Sequence, residues 1–235
     1  MTKRIDELVG LICGGEGHPL APILRGWCES SRPWLAFAEA HAAKIRKKVR
    51  HASSGEDLGD LIAELAVAAL LVRDRRFSVA YEPHRATGER GPDFGVTFRA
   101  HIPFFVEVAR LRLPGGTGDD LAALRLARVV GDKIEQLPPG AANLLAVALP
   151  PGAAGDDLMP AALRRLDGPP GQEEGSPFPG VRAYARGRHR LSAVALCSLT
   201  PGGQLVDVRL WLHPQARHPL HPEVARYLAR VPGSG

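Results

Sequence analysis

Apolar residues recur every three or four positions through the first part of the chain, which is the spacing of amphipathic helices. The N-terminus places Ile5, Leu8, Val9 and Ile12 on one face of a short helix, and a connection interrupted by Gly and Pro follows. The segment RPWLAFAEAHAAKIRKKVR then fits one long helix. We therefore predict a helical N-terminal extension over residues 1–50.

A further helix is predicted in LGDLIAELAVAALLVRD, where the apolar residues keep the helical period. The segment SSGED before it supplies Ser and Asp residues that suit an N-cap. The period then changes to two in FSVAYEP, DFGVTF and FFVEVARL. This change predicts three strands, separated by turns that contain Gly or Pro.

The second half of the chain alternates between helical and extended patterns. GDDLAALRLARVVGDKIEQL favours a helix stopped by Pro138 and Pro139, and DDLMPAALRRL favours another. NLLAVAL is a continuous apolar run, typical of a strand covered on both faces. RLSAVALCSL and LVDVRLWL predict two more strands, and Pro222 suits the first turn of a last helix. Residues 167–180 are too rich in Pro, Gly and acid to pack, so we expect a mobile loop there.

This order of elements predicts an α/β fold in which a mixed central β-sheet is flanked by helices on both faces. A β-meander followed by a crossover helix puts the centre of the sheet at the third strand. Residues 51–235 are expected to form this α/β domain, in one compact unit with the N-terminal extension.

The composition is that of an ordinary globular protein, with 45% hydrophobic and 23% charged residues. No apolar run approaches the roughly 18 residues that a membrane-spanning helix needs. Acids and a Gly pair follow the basic N-terminus too soon for a signal peptide, so we expect a cytoplasmic protein. The three cysteines show no CxxC spacing, which predicts buried free thiols.

The formal charge of +5 permits a polyanionic partner without requiring one. Basic residues concentrate in KIRKKVR, which contains Lys44, Arg46, Lys47 and Lys48. One interpretation is a solvated helix end, where cations suit the negative end of the helix dipole. The other is a face that contacts phosphates. The sequence leaves both open.

Two acids, Asp93 and Glu107, lie within the largely apolar, strand-like segment GPDFGVTFRAHIPFFVEVARLR, residues 91–112. A hairpin register centred on Ala100 places Asp93 opposite Glu107 and puts the apolar residues on the other face. Directly opposed carboxylates repel, so they need a cation, a shared proton or free access to water. Such oxygen ligands suit Mg²⁺ or Mn²⁺. The alternative is a solvated sheet face that carries two ordinary surface acids.

Glu64 is a third acid in apolar surroundings, within the helix that precedes the strands. A glutamate in this position either reaches the edge of the helix or points at a group that compensates its burial. Asp60 lies one turn earlier on the same helix face.

A helical Glu followed by "PD" and then by the strand "VEVAR" resembles the PD-(D/E)XK, or restriction-endonuclease-like, nuclease superfamily. The resemblance runs from about Trp34 to the last helix. It implies an αβββαβ core in which Asp93, Glu107 and the auxiliary Glu64 hold Mg²⁺. It also implies a lysine two residues beyond Glu107, where this chain has Ala109.

Some relatives supply that lysine from a neighbouring helix. Lys133 is the candidate here, with Gln136 one turn further along the same helix face. The alternative for Lys133 is a surface lysine of an amphipathic helix.

These expectations combine into one main hypothesis and two alternatives. The main hypothesis is a metal-dependent nuclease that hydrolyses phosphodiester bonds in DNA, with Arg110, Gln136 and the basic segment as nucleic-acid contacts. The alternatives are an inactive nuclease-fold module that binds nucleic acid, and a protein-interaction module. The sequence leaves a homodimer open.

Overall fold

The computed structural model describes residues 2–15, 17–83, 91–168 and 179–230. In these ranges the helices are α1 (Thr2–Cys13), α2 (Leu20–Ser30), α3 (Arg32–Ala40), α4 (Ala42–His51), α5 (Gly55–Val72), α6 (Asp119–Lys133), α7 (Leu158–Asp167), α8 (Pro179–Gly187) and α9 (Pro222–Leu228). Short 3-10 helices follow α6 at Ile134–Gln136 and α8 at Arg188–Arg190. Among the described residues, no helix has both the length and the apolar content needed to span a bilayer.

The strands form one mixed six-stranded sheet in sequence order, β1-β2-β3-β4-β5-β6. They are β1 (Phe77–Tyr81), β2 (Phe94–Phe98), β3 (Ile102–Arg110), β4 (Ala142–Leu149), β5 (Ala193–Leu199) and β6 (Leu205–Leu212). The pairs β3–β4 and β4–β5 are parallel, and the other pairs are antiparallel. The predicted mixed α/β fold is confirmed at this level.

Helices cover both faces of the sheet, because apolar residues alternate along the central strands and each face needs a partner. One core joins helices α1–α5 and α9 to residues such as Val106 and Leu144. The other joins α6, α7 and α8 to residues such as Leu145 and Val147. As the continuous apolar run predicted, β4 is buried on both sides over seven of its eight residues.

The N-terminal region is more segmented than predicted. The connection expected after α1 contains α2, and the expected long helix is broken into α3 and α4 at His41. His41 has the non-helical angles φ −115° and ψ 13°, and its ring packs edge-on against Phe37 and Tyr81. Neither Gly nor Pro marks this break, so the helical pattern alone could not reveal it.

Two further differences concern the chain between α7 and β5. Helix α8 was not predicted, although Tyr184 on it is buried in the second core. The expected mobile loop at 167–180 lies outside the described residues over positions 169–178. Its described ends are helical, because Asp167 ends α7 and Pro179 begins α8.

Helix α5 begins where the sequence predicts. It places two acids, Asp60 and Glu64, near the start of β2 and the end of β3. The Ser54 side chain accepts a hydrogen bond from the Asp57 N–H, and the Asp57 side chain accepts one from the Ser54 N–H. This capping box satisfies two amides that the first turn would otherwise leave unpaired. Because the helix starts there, Asp60 and Glu64 lie close to the ends of β2 and β3 where the acids of the strands meet.

Candidate active site

The antiparallel ladder between β2 and β3 ends one residue before the two acids would pair. The predicted register is confirmed by the pairs Phe94–Val106 and Val96–Phe104. Asp93 lies just beyond the first pair, and its Oδ2 accepts a hydrogen bond of 2.8 Å from the Val108 N–H. The carboxylate therefore takes a strand amide that a longer β2 would have used, and it is fixed beside β3.

Glu107 is buried in the middle of the sheet, with only 3% of its surface exposed. Its strand neighbour in β4 is the buried Leu145. Oε1 accepts a hydrogen bond of 2.5 Å from the Lys133 ammonium. Oε2 is buried and has no hydrogen-bond partner among the described residues. A buried carboxylate oxygen without a partner is costly, so this atom is available to a ligand.

The proximity of the two acids affects the protonation of Asp93. Burial, followed by the negative charge of Glu107, raises the pKa of Asp93 to about 6. The Val108 N–H and the ammonium groups of Lys48 and Lys133 oppose this rise. Asp93 therefore lies where a bound cation would relieve an electrostatic penalty.

A second group of ion pairs, formed by Lys48 with Glu64 and Glu82, lies near the Lys133–Glu107 pair. The Lys48 ammonium lies 2.5 Å from Glu64 Oε1 and 3.2 Å from Glu82 Oε1. Burial and then the charge of Asp93 raise the pKa of Glu64, against the opposing effect of Lys48. Burial alone would lower the pKa of Lys48, but the surrounding carboxylates raise it. The charge of Asp93 therefore acts on Glu64.

Glu82 joins the two groups through the backbone. Its N–H donates a hydrogen bond of 2.7 Å to the Asp93 carbonyl, so the end of β1 holds the start of β2. Its φ of 49° lies in the left-handed region, which a residue with a side chain rarely adopts. Such strained backbone occurs preferentially at functional sites. Glu82 is not among the residues predicted from the sequence, where the only signal is an acid directly after a strand.

Tyr81 forms the apolar wall between the ion pairs and the core. Its ring stacks on Phe94 at 5.4 Å, and the Lys48 ammonium lies 5.1 Å from the ring centroid. Lys44 donates a hydrogen bond of 2.6 Å to the Tyr81 carbonyl. Burial, then the charge of Glu64, raises the pKa of the Tyr81 hydroxyl, so the phenol stays neutral.

Above the acids lies a cleft of about 630 Å³ between α5, the end of β3 and α6. Asp93, Glu64, Ala109 and Lys133 line it, and four arginines surround it, namely Arg110, Arg112, Arg125 and Arg128. The cleft thus combines partly buried acids with arginines on its wall.

The first two of these arginines are held by the beginning of α5. Arg110 Nε lies 2.8 Å from Asp60 Oδ1, and Arg112 Nη2 lies 2.6 Å from Asp60 Oδ2. Glu56 also pairs with both guanidinium groups. The arginines are fixed in the cleft wall, and part of their charge is already neutralised.

The structure brings together four of the residues that the sequence singled out: Asp93, Glu107, Lys133 and Glu64. It turns Lys44 and Lys48 inward, where they contact Tyr81 and the acids. Arg46 and Lys47 lie on the outer part of α4 and are not among the residues that line the cleft. Gln136 is also outside that lining, and its side chain donates to the Asp132 carbonyl.

The donor set fits a hard cation with few protein ligands. Within the described ranges, no three His, Cys, Asp or Glu residues are grouped closely enough to hold a metal ion together. Mg²⁺ needs only one or two carboxylates, because it keeps several waters and binds substrate phosphates. Asp93 and the unpartnered Oε2 of Glu107 would supply two such carboxylates to a bound ion.

No protein-family model matches this chain, and no curated protein or solved structure is significantly similar to it.

Proposed function

We propose that the protein is a metal-dependent nuclease that hydrolyses phosphodiester bonds in DNA, with a core of the restriction-endonuclease-like kind. One observation carries the proposal. The partly buried Asp93 lines an arginine-rich cleft, the buried Glu107 lies next to it, and the Lys133 ammonium reaches Glu107 Oε1 at 2.5 Å. The resemblance implies the two acids, and Lys133 on α6 takes in this proposal the place of the lysine that the family pattern would put at residue 109.

Each group has a distinct role in this proposal. Asp93 and Glu107 would hold Mg²⁺ or Mn²⁺, with Glu64 assisting. The bound ion would polarise the phosphodiester and lower the pKa of a water. Lys133 holds a positive charge beside Glu107, where it orients the attacking water and stabilises the charge that develops on the phosphate.

The basic groups bind and orient the substrate. Arg110 and Arg112 are fixed by Asp60, so their guanidinium groups are preorganised to contact phosphates. Arg46 and Lys47 on the outer part of α4, and Gln136 after α6, are proposed as more distant contacts. The three cysteines are buried free thiols, which supports a cytoplasmic location.

The direct test is cleavage of supercoiled plasmid and of labelled single-stranded DNA and RNA, in Mg²⁺ and in Mn²⁺. Glu107→Gln is the test variant, because it keeps the side-chain shape and removes the charge. Glu135→Gln is the matched control, because Glu135 is exposed and pairs with Arg186 outside the cleft. We expect cleavage by the wild type and the control, with a loss of at least about a hundredfold in Glu107→Gln.

A second candidate function is a nucleic-acid-binding module without catalysis. Ala109 favours it, because the family pattern would place a lysine at that position. This candidate predicts an affinity that falls steeply with salt and does not change in Glu107→Gln. An intact, metal-binding wild type that cleaves neither DNA nor RNA would overturn the nuclease proposal in favour of this module.

A further inference from the structure

A second concavity, of about 700 Å³, lies at the opposite end of the first strands from the acidic cleft. It is lined by the turn that joins α5 to β1 and by one side of α9. Strand β1 runs from this pocket at Phe77 to the cleft end at Tyr81. At about 3.4 Å per residue, the two sites are separated by roughly 14 Å along the strand.

The pocket is rich in arginine, and both of its acids are already paired. Arg76 Nη2 lies 2.7 Å from Asp74 Oδ2, in the same turn. Glu223 Oε2, on α9, lies 2.8 Å from Nη2 of Arg99, which belongs to the turn between β2 and β3. Both negative charges of the pocket wall are therefore neutralised by ion pairs.

The other arginines of the wall, namely Arg73, Arg75, Arg226 and Arg230, are exposed and form no ion pair within the described part of the chain. Four like charges around one concavity repel each other, and a bound anion removes that repulsion.

Arg76 lies close to the aromatic rings at this end of the sheet. The Arg76 guanidinium lies 5.3 Å from the Phe98 ring centroid and 6.0 Å from the Tyr227 ring centroid. Phe98 is fully buried, and Arg76 lies over one face of Tyr227, the aromatic residue that lines the pocket. What the pocket offers to a ligand is guanidinium groups, and these match the oxygens of phosphate.

We propose that this pocket binds closely spaced phosphate groups, at a site separate from the acidic cleft. The phosphates come either from the backbone of a nucleic-acid strand or from a free oligophosphate, since the guanidinium chemistry is the same for both. The proposal does not rest on nuclease activity, because no acid of the cleft takes part in it.

The test compares two variants that lose the same charge. The pocket variant combines Arg75→Gln, Arg226→Gln and Arg230→Gln. The control variant combines Arg32→Gln, Arg164→Gln and Arg182→Gln, at exposed arginines elsewhere on the surface. Binding of a labelled single-stranded oligonucleotide and of inorganic tripolyphosphate is measured in EDTA, so that cleavage cannot contribute.

We expect the pocket variant to bind at least one of the two ligands roughly tenfold more weakly than the control variant at low salt. If the strand is the ligand, the slope of log affinity against log salt falls by about 2, because each lost phosphate contact on a single strand contributes about 0.7. If only tripolyphosphate binding falls, the site is for a free oligophosphate.

Equal affinities of the pocket and control variants for both ligands would overturn the proposal. Thermal unfolding of each variant shows whether it is folded. If the triple pocket variant unfolds, the single variants Arg75→Gln and Arg226→Gln are compared with Arg164→Gln instead. Failure here leaves the nuclease proposal intact, because the plasmid experiment tests different residues.

Discussion

The Lys133 ammonium lies 2.5 Å from Glu107 Oε1, although the two residues are 26 positions apart and belong to a helix and a strand. The two partners are not equally buried, since the exposed fraction is 28% for the Lys133 side chain and 4% for the Glu107 side chain. Lys133 can be hydrated without its partner, whereas Glu107 cannot. The pair is therefore asymmetric in its effect on stability.

Replacing Lys133 with Met is expected to lower the free energy of unfolding by about 3 kcal/mol, because it leaves the Glu107 charge buried without compensation. Glu107→Gln is expected to change it by less than about 1 kcal/mol, since it also removes the repulsion with Asp93. In the double variant most of the loss is recovered. Urea unfolding of the four proteins in EDTA at pH 7.5 measures these differences.

The control for this cycle is Arg186→Met, which breaks the exposed pair with Glu135. An exposed ion pair contributes little, so we expect a change below about 1 kcal/mol. If Lys133→Met is as stable as Arg186→Met, the Glu107 carboxylate does not depend on Lys133 to compensate its burial.

The raised pKa of Asp93 makes stability fall with rising pH. The pKa of Asp93 is about 6 in the folded protein, above the ordinary value of 3.8. Between these values the folded state keeps a proton that the unfolded state has lost, so folding is favoured at low pH. The advantage is present below about pH 4 and is lost by the time the pH has risen through 6.

Asp93→Asn is therefore expected to be more stable than the wild type above pH 6, by up to about 3 kcal/mol in EDTA, and to lose this advantage toward pH 4. An Asn side chain can still accept the hydrogen bond from the Val108 N–H. The control is Asp157→Asn, which removes one exposed carboxylate. For each variant, the difference in free energy of unfolding from the wild type is measured from pH 4 to 8. The same pH dependence for Asp93→Asn and Asp157→Asn would contradict a raised pKa of Asp93.

Much of this site could be predicted because it depends on local spacing. A hairpin centred on Ala100 specifies that Phe94 pairs with Val106, and the structure has that register. Once the strands are fixed, α5 and α6 must pack on opposite faces beside them. Glu64 on α5 and Lys133 on α6 lie near the strand acids, and it was the family resemblance, not the local spacing, that proposed a site role for them.

What could not be predicted depends on conformations that leave no pattern in the sequence. Lys48 reaches Glu64 from α4, and the break at His41 that separates α4 from α3 contains no Gly or Pro. Glu82 adopts a left-handed conformation that residue type does not favour. Lys48, Glu64 and Glu82 are far apart in the sequence, and only tertiary packing brings them into contact.

Helix α6 touches α8 backbone to backbone at Gly131. A Cβ added there would lie 2.5 Å from the Gly180 Cα, so the helices would have to move apart. We expect Gly131→Ala to lower the free energy of unfolding by about 2 kcal/mol. Gly10→Ala is the control, because a Cβ at Gly10 in α1 meets no atom within 4 Å. That variant should be stabilised by up to about 1 kcal/mol. Stabilisation of both variants in thermal unfolding would contradict the close contact.

The position of the lysine can be tested by moving it. Ala109 lines the cleft two residues beyond Glu107, where the resemblance implies the family lysine, and Lys133 approaches the same acid from α6. We expect Lys133→Met to reduce plasmid cleavage by about a hundredfold or more, and the added change Ala109→Lys to restore it to within about tenfold of the wild type. Adding Thr97→Lys instead is the control, because it adds the same charge to β2 at the end remote from Asp93. If Thr97→Lys restores the rate as well as Ala109→Lys does, only the net charge matters. If Ala109→Lys does not restore it, a lysine at position 109 is not equivalent to one at position 133.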